Sequence, residues 1–275
     1  MTMVPATEKE YVLGTNDDEL VRLGFQHRAW AQYAFAIWEE AGFAAGKTIL
    51  DVGCGPGFGT MDIARIVGPT GKVIAADASA RFLEYLRAQA DGQKVRHVET
   101  ILTDVQDLDL PPSSIDGAYA RWVLCFVKDP AAVVKAVAKA LRPGAAFAVQ
   151  DYFNYAAITL APRSAIFTRV IHAVIASWVD HGGDPDLIAR LPALMQECGL
   201  QVRTVRPIMR VARPGSMLWE WPGSFFRNFV PTLVRDGRLS PDDYAAFQKE
   251  WSVRSGDENT FFCTPPVFDV IGLMP

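Results

Sequence analysis

Apolar residues recur along this chain with two different periods. In the first segment they return every three or four positions, at Leu20, Leu23, Trp30, Ala34 and Trp38, the pattern of an amphipathic helix. Asn16-Asp17-Asp18-Glu19 supplies a start for it, with Asn16 as N-cap and Glu19 in the capping-box position. Beyond this helix, short β-type apolar runs alternate with helical stretches. Strands are predicted at 48–52, 72–76, 95–102, 115–120 and 145–150, and helices at 60–67, 79–90 and 130–141. The punctuation agrees: Gly68-Pro69 stops one helix and Ser79 caps the next. Asp129-Pro130 gives an acid cap followed by proline in the first turn, and Arg142-Pro143-Gly144 ends that helix.

The second half reads differently. It opens with an insertion at 152–180 that holds a helix at 165–179. Asp184-Pro185 starts a further helix that runs to Gly199, and a strand follows at 201–211. Residues 213–257, rich in aromatics and prolines, predict lid helices and loops, and the last strand lies at 268–273. Strands alternating with helices imply an α/β fold with a parallel sheet covered on both faces, doubly wound because the crossovers are right-handed. The expected architecture is a mostly parallel seven-stranded sheet in one domain. It comprises an N-terminal helical lid (1–46), a ligand-binding core (47–151) and substrate-side insertions (152–183 and 212–258).

With 275 residues, half of them hydrophobic and 21% charged, the chain can bury the core of one large α/β domain with a lid, or of two small domains. A net charge of −4 argues against nucleic acid as partner. Cys54, Cys125, Cys198 and Cys263 form no C-x-x-C pair and have no histidine at zinc spacing, so reduced thiols in a cytoplasmic protein, and no metal site, are expected. Residues 1–10 lack a signal-peptide pattern. The apolar stretch at 165–179 holds Arg169 and His172 and is too short and polar to span a membrane. The sequence leaves a homodimer open.

The densest chemical signal is Thr48-Ile49-Leu50-Asp51-Val52-Gly53-Cys54-Gly55-Pro56-Gly57-Phe58-Gly59. An apolar strand ends in an acid, breaks into a glycine-rich turn and enters a helix, which is the form of a nucleotide site. Glycine lets the backbone approach a ligand with no Cβ in the way. The spacing is D-x-G-x-G-x-G, whereas a dinucleotide fingerprint would need glycine where Phe58 stands. Asp77 ends the second strand, where an acid can take ribose hydroxyls. Thr103-Asp104-Val105 follows the third strand, and Leu141-Arg142-Pro143-Gly144 precedes the fifth.

In that order these elements resemble the class I S-adenosylmethionine (SAM) dependent methyltransferases, above all the branch with the ubiquinone and menaquinone enzymes and many bacterial small-molecule methyltransferases. The resemblance covers about residues 11–150 and 184–211 and is thin over 213–257. It implies SAM as cofactor, S-adenosylhomocysteine (SAH) as its product, and a small-molecule methyl acceptor. It also implies that Gly53 and Gly55, with Gly57 in the same loop, lie against the ribose and amino-acid end of SAM. By the same resemblance Asp77 accepts the ribose hydroxyls, Ala78 lies beside the adenine, Asp104 accepts the adenine amino group and Val105 offers a backbone amide. Arg121 and Trp122 meet the methionine end and begin the substrate wall, and Tyr11 and Gln26 lie near the methionine carboxylate. Asp51 is expected to hold the loop by bonding backbone amides rather than to touch ligand.

Methyl transfer is an in-line displacement whose leaving group is a neutral thioether, so positioning supplies much of the catalysis, and a base helps where the nucleophile is a hydroxyl. The candidates for that base are His27 on the N-terminal helix and His172 and His181 in the insertion; Asp151 and Tyr152 also lie at the end of a strand. His97 is expected in the core or at a strand edge. Tyr152, Phe153, Tyr155, Trp178, Trp219, Trp221, Phe225, Phe226 and Phe229 read either as a lid core or as the wall of a pocket for a flat, apolar acceptor. Two other functions share some of these signals. A nicotinamide-dependent oxidoreductase also needs a glycine loop and an acid after the second strand, but the chain lacks a Tyr-x-x-x-Lys pair. A SAM-fold protein that binds without turnover would keep the loop as well.

Overall fold

Every residue from Ile49 to Val52 and from Val73 to Ala76 is buried, so these strands are covered on both faces. Such strands belong inside a helix-covered parallel sheet, and this is the arrangement in the computed structural model, which describes residues 17–275. Tyr11 and the Asn16 cap lie outside the described residues. In chain order come α1 (Asp17–Glu40), β1 (Thr48–Val52), α2 (Phe58–Val67), β2 (Lys72–Asp77), α3 (Ala80–Gly92), β3 (Val98–Leu102), β4 (Ile115–Arg121), α4 (Pro130–Ala140) and β5 (Leu141–Tyr152). Then follow β6 (Thr159–Ala161), α5 (Ala165–Asp180), α6 (Leu191–Glu197), β7 (Gln201–Ile208), β8 (Val211–Ala212), α7 (Met217–Arg235), α8 (Pro241–Ser255), β9 (Phe261–Cys263) and β10 (Val267–Leu273).

The main sheet has seven strands in the order β3-β2-β1-β4-β5-β10-β7. β10 runs antiparallel to both its neighbours and the other pairings are parallel, which bears out the doubly wound, mostly parallel α/β expectation. The chain leaves β1 toward β2 on one side, while β4 pairs on the other. A crevice therefore opens at the carboxyl ends of β1 and β4, the switch point where such sheets bind ligands. Trp38 docks α1 on the sheet: it is fully buried and meets the Tyr119 ring edge-on at 5.2 Å. Trp38→Ala is expected to lower stability by about 3–5 kcal/mol in urea denaturation; a loss under about 1 kcal/mol would show that α1 is not anchored there.

Three elements depart from the sequence reading. The helix expected from Asp184 to Gly199 is broken into a 3-10 turn at Leu187–Ala189 and the short α6, because Pro192 lacks an N–H and restricts the residue before it. The strand expected over 201–211 ends at Ile208; Pro207 is tolerated because β7 is an edge strand. The chain then crosses to a second sheet, β6-β9-β8, whose strands of two or three residues are too short to show a period. The strand expected from Val95 begins at Val98, and His97 lies just before it with Nε2 2.9 Å from the Ala64 carbonyl.

Candidate active site

The glycine turn between β1 and α2 encloses one side of a cavity of about 460 Å³. All three motif glycines have positive φ, and each is glycine for its own reason. A Cβ on Gly53 would meet the Val123 side chain at 2.5 Å, and one on Gly57 would collide with Leu86. A Cβ on Gly55 meets no protein atom within 4 Å, because that residue opens onto the cavity. Gly53 and Gly55 line the cavity, whereas Gly57 packs behind the loop as the N-cap of α2.

The acid that ties this loop down is not the expected one. Asp51 is buried and accepts the Thr60 hydroxyl at 2.6 Å, and burial lifts its pKa to about 6. Instead Asp77 holds the loop. Its Oδ2 accepts the Gly55 amide at 2.7 Å and its Oδ1 the Ser79 amide at 2.9 Å, while burial raises its pKa. A carboxylate has about four lone-pair sites, so Asp77 can still accept ligand hydroxyls from the cavity wall. Ala78, Asp104 and Val105 line the same wall. Asp104 also accepts the backbone amide of Gln106 at 3.1 Å and so caps the turn after β3.

Arg121, at the end of β4, closes the opposite side. Its Nη2 is 2.8 Å from His27 Nδ1, and its Nη1 is buried with no hydrogen-bond partner among the described residues. Trp122 follows in the left-handed region at φ 53°, a strained position for a bulky residue, of the kind that clusters at functional sites. The indole is packed beneath the Arg121 guanidinium, 5.1 Å from it.

The three histidines separate clearly. His172 is on the exposed face of α5 and lines no part of the cavity, because the opposite face, with Ile171, Val174 and Trp178, is the one that packs inward. His27 lines the cavity, but both its nitrogens are engaged: Arg121 can only donate to Nδ1, so Nε2 carries the proton that binds Asp62 Oδ2 at 2.8 Å. It therefore has no nitrogen left for a substrate proton. His181 caps the C-terminus of α5 and lines the cavity mouth beside Lys128. Its Nδ1 lies 2.6 Å from the Ser177 carbonyl, an acceptor only, so in the neutral ring the proton sits on Nδ1 and the lone pair on Nε2. Asp151 is wholly buried and accepts the backbone amides of Cys125 and Tyr152, so it holds the loop after β4 rather than facing a ligand.

Gln26 lines both this cavity and a smaller one of about 40 Å³ behind it. Its Oε1 accepts Arg22 Nη1 and Trp221 Nε1, each at 2.9 Å, which leaves its amide N–H groups as the side available to a ligand. The smaller cavity is aromatic. Trp221, Trp122, Tyr152 and Trp178 form a series of nearly parallel rings, with neighbouring centroids 6.0–6.1 Å apart and planes within 25°. Trp122, like Gln26 and Phe126, lines both cavities and so lies where they adjoin.

Sequence reasoning missed Phe58, Leu23 and Asp62. Gly24 was the available signal, since a Cβ there would strike the Phe58 ring at 2.9 Å; the glycine brings α1 down onto the loop. Buried polar residues on α1 were another, because Glu19, Arg22 and His27 occupy positions where a plain packing helix carries apolar side chains.

The methyltransferase-domain family matches residues 50–149. The chain is 30% identical over 160 residues to the ubiquinone/menaquinone biosynthesis C-methyltransferase UbiE of Hahella chejuensis, covering 54% of this chain and 63% of that one. It is 29% identical to the O-methyltransferase cnsE of Penicillium expansum, over 66% of this chain and 61% of that protein. The chain spans 47–63% of the length of the first curated relatives that it matches. Among solved structures, geranyl diphosphate C-methyltransferase from Streptomyces coelicolor superposes with a TM-score of 0.59 at 14% identity, covering 90% of this chain and 80% of that one, a likeness of fold. These similarities favour neither an oxidoreductase nor a protein without turnover. Over residues 50–149 the sequence motif and the sheet order agree with the methyltransferase-domain match.

Proposed function

We propose that this protein transfers the methyl group of SAM to a small, largely apolar or aromatic acceptor. The observation that carries the reading is the pair of cavities that adjoin at Trp122: a larger one lined by a glycine turn, an acid and an arginine, and a smaller one walled by aromatic rings. The residues fit the cofactor. Gly55 leaves room for it, Asp77 has lone pairs for ribose hydroxyls, and Arg121, whose Nη1 has no hydrogen-bond partner among the described residues, brings a guanidinium suited to a carboxylate to the cavity lining. SAM supplies an electrophilic methyl on a sulfonium. The chain's own part is to bind, orient and exclude water.

The aromatic cavity favours a planar acceptor. The nearly parallel rings of Trp221, Trp122, Tyr152 and Trp178 offer flat apolar faces for such a guest. An acceptor that loses a proton on methylation delivers it to His181 Nε2. Small uncharged substrates also suit a chain with net charge −4 better than nucleic acid does. The four free cysteines support a reducing, cytoplasmic setting, and no helix among the described residues is long and apolar enough to cross a membrane.

His181→Gln tests the base. With a phenolic acceptor panel, SAH release is expected to slow by about 10²-fold in kcat while SAH affinity stays at the wild-type value. Wild-type kcat in that variant would remove His181 from the chemistry. Trp122→Ala removes the ring at which the cavities adjoin and is expected to raise the acceptor KM at least about tenfold; an unchanged KM would move the acceptor elsewhere.

A further inference from the structure

We propose that His27 is a positioning residue: backed by Asp62, it holds the Arg121 guanidinium in place for the cofactor's carboxylate, and proton uptake by His27 releases that hold. The inference rests on the SAM reading above and goes beyond it.

The chain of contacts is short and directional. Asp62 Oδ2 accepts from His27 Nε2 at 2.8 Å, and His27 Nδ1 accepts from Arg121 Nη2 at 2.8 Å. Three elements therefore meet in one line: Asp62 from α2, His27 from α1 and Arg121 from the end of β4. Each partner fixes one freedom of the next. Asp62 sets the tautomer of the imidazole, and the imidazole lone pair sets the rotation of the guanidinium. Of its other donors, Nη1 is buried with no hydrogen-bond partner among the described residues, and Arg121 is one of the residues that line the cavity. The Phe58 ring lies beside the imidazole, with centroids 6.3 Å apart and planes 24° from parallel.

The charges around His27 give the sign. Asp62 faces it from α2, and Arg65 pairs with that same carboxylate on the outer side. Arg121 faces it from β4, and Arg28 acts from its own helix. Burial is the largest influence; together with Arg121 and Arg28 it outweighs Asp62 and lowers the pKa of His27. The imidazole is thus neutral at neutral pH and charges only as pH falls below the ordinary histidine range. Once charged, it would point an N–H at the N–H of Arg121 across 2.8 Å, two donors and two cations facing each other. Arg121 must then move, and the carboxylate loses its partner. Asp51, near Arg121 and raised to about 6, titrates in the same interval, and burial raises Asp77 as well, so the wild-type pH profile alone does not assign the effect.

Glutamine at position 27 separates His27 from these carboxylates, since its amide offers one acceptor and one donor as the neutral imidazole does, and it cannot charge. SAH binding by calorimetry is measured near pH 8 and near pH 5 for wild type, His27→Gln and His27→Ala, with a thermal melt of each to confirm folding. Wild type is expected to lose about tenfold in affinity on acidification, the difference a released charge-assisted bond makes. His27→Ala is expected to lose about tenfold near pH 8 and to change little further. His27→Gln is expected to recover most of that loss and to keep its affinity near pH 5. A His27→Gln protein that loses affinity on acidification as steeply as wild type overturns the inference and assigns the effect to the buried carboxylates Asp51 and Asp77. So does a His27→Ala protein that binds as wild type does at both pH values. Folded wild type that fails to bind SAH near pH 8 sinks the SAM reading itself, a different outcome from either of these. If the alanine variant does not fold, the glutamine variant decides alone.

Discussion

Gly55→Val is expected to abolish binding of SAH, a loss of at least about 10³-fold, or roughly 4 kcal/mol. Two effects add. Gly55 sits at φ 54°, which a β-branched residue adopts only under strain of about 1–3 kcal/mol. The larger effect is occlusion, because an added Cβ there points where no protein atom lies within 4 Å, into the space assigned to the ligand. Gly55→Ala shares most of the backbone strain and little of the bulk, so it should lose far less. Equal losses in the two variants would mean that strain, not a ligand against the loop, explains the result. Wild-type affinity in the valine variant would show that nothing binds there.

Asp77→Ala is expected to weaken SAH binding by about 10²–10⁴-fold, since two charge-assisted hydrogen bonds to ribose hydroxyls are worth about 1.5–3 kcal/mol each. Asp77 also accepts the Gly55 amide, so part of that loss comes through a loosened loop. An SAH analogue without the 2′-hydroxyl separates the parts: it should bind wild type more weakly than SAH does, yet the variant should scarcely distinguish the two. A variant that discriminates as well as wild type would remove the ribose contact. The fold should survive, because Asp77 lies at the carboxyl end of β2 and leaves the buried Val73–Ala76 stretch intact.

The sheet was legible because its signals are local. Strands such as Val73–Ala76 are continuous apolar runs, and the helix starts at Ser79 and Asp129 carry side-chain caps that the structure contains, to the Phe82 and Ala132 amides. Where geometry depends on distant partners, the sequence was mute. β6, β8 and β9 are defined only by one another, with about a hundred residues between β6 and its partner β9 and about fifty between β8 and β9. In the site, the cavity brings together Gly53, Gly55, Asp77, Ala78, Asp104, Val105, Arg121, Trp122 and Gln26, all read from motif positions. Side-chain commitments were not readable. That Asp51 bonds a hydroxyl and Asp77 the loop amide depends on where the strand ends turn. That His27 is occupied on both nitrogens depends on α2 and β4 arriving beside α1.

The most direct test of the central claim is calorimetric titration of the purified protein with SAM, SAH and NADH in parallel. The account predicts binding of SAM and SAH in the micromolar range and no heat from NADH. Heat from NADH with silence from SAM and SAH would contradict it.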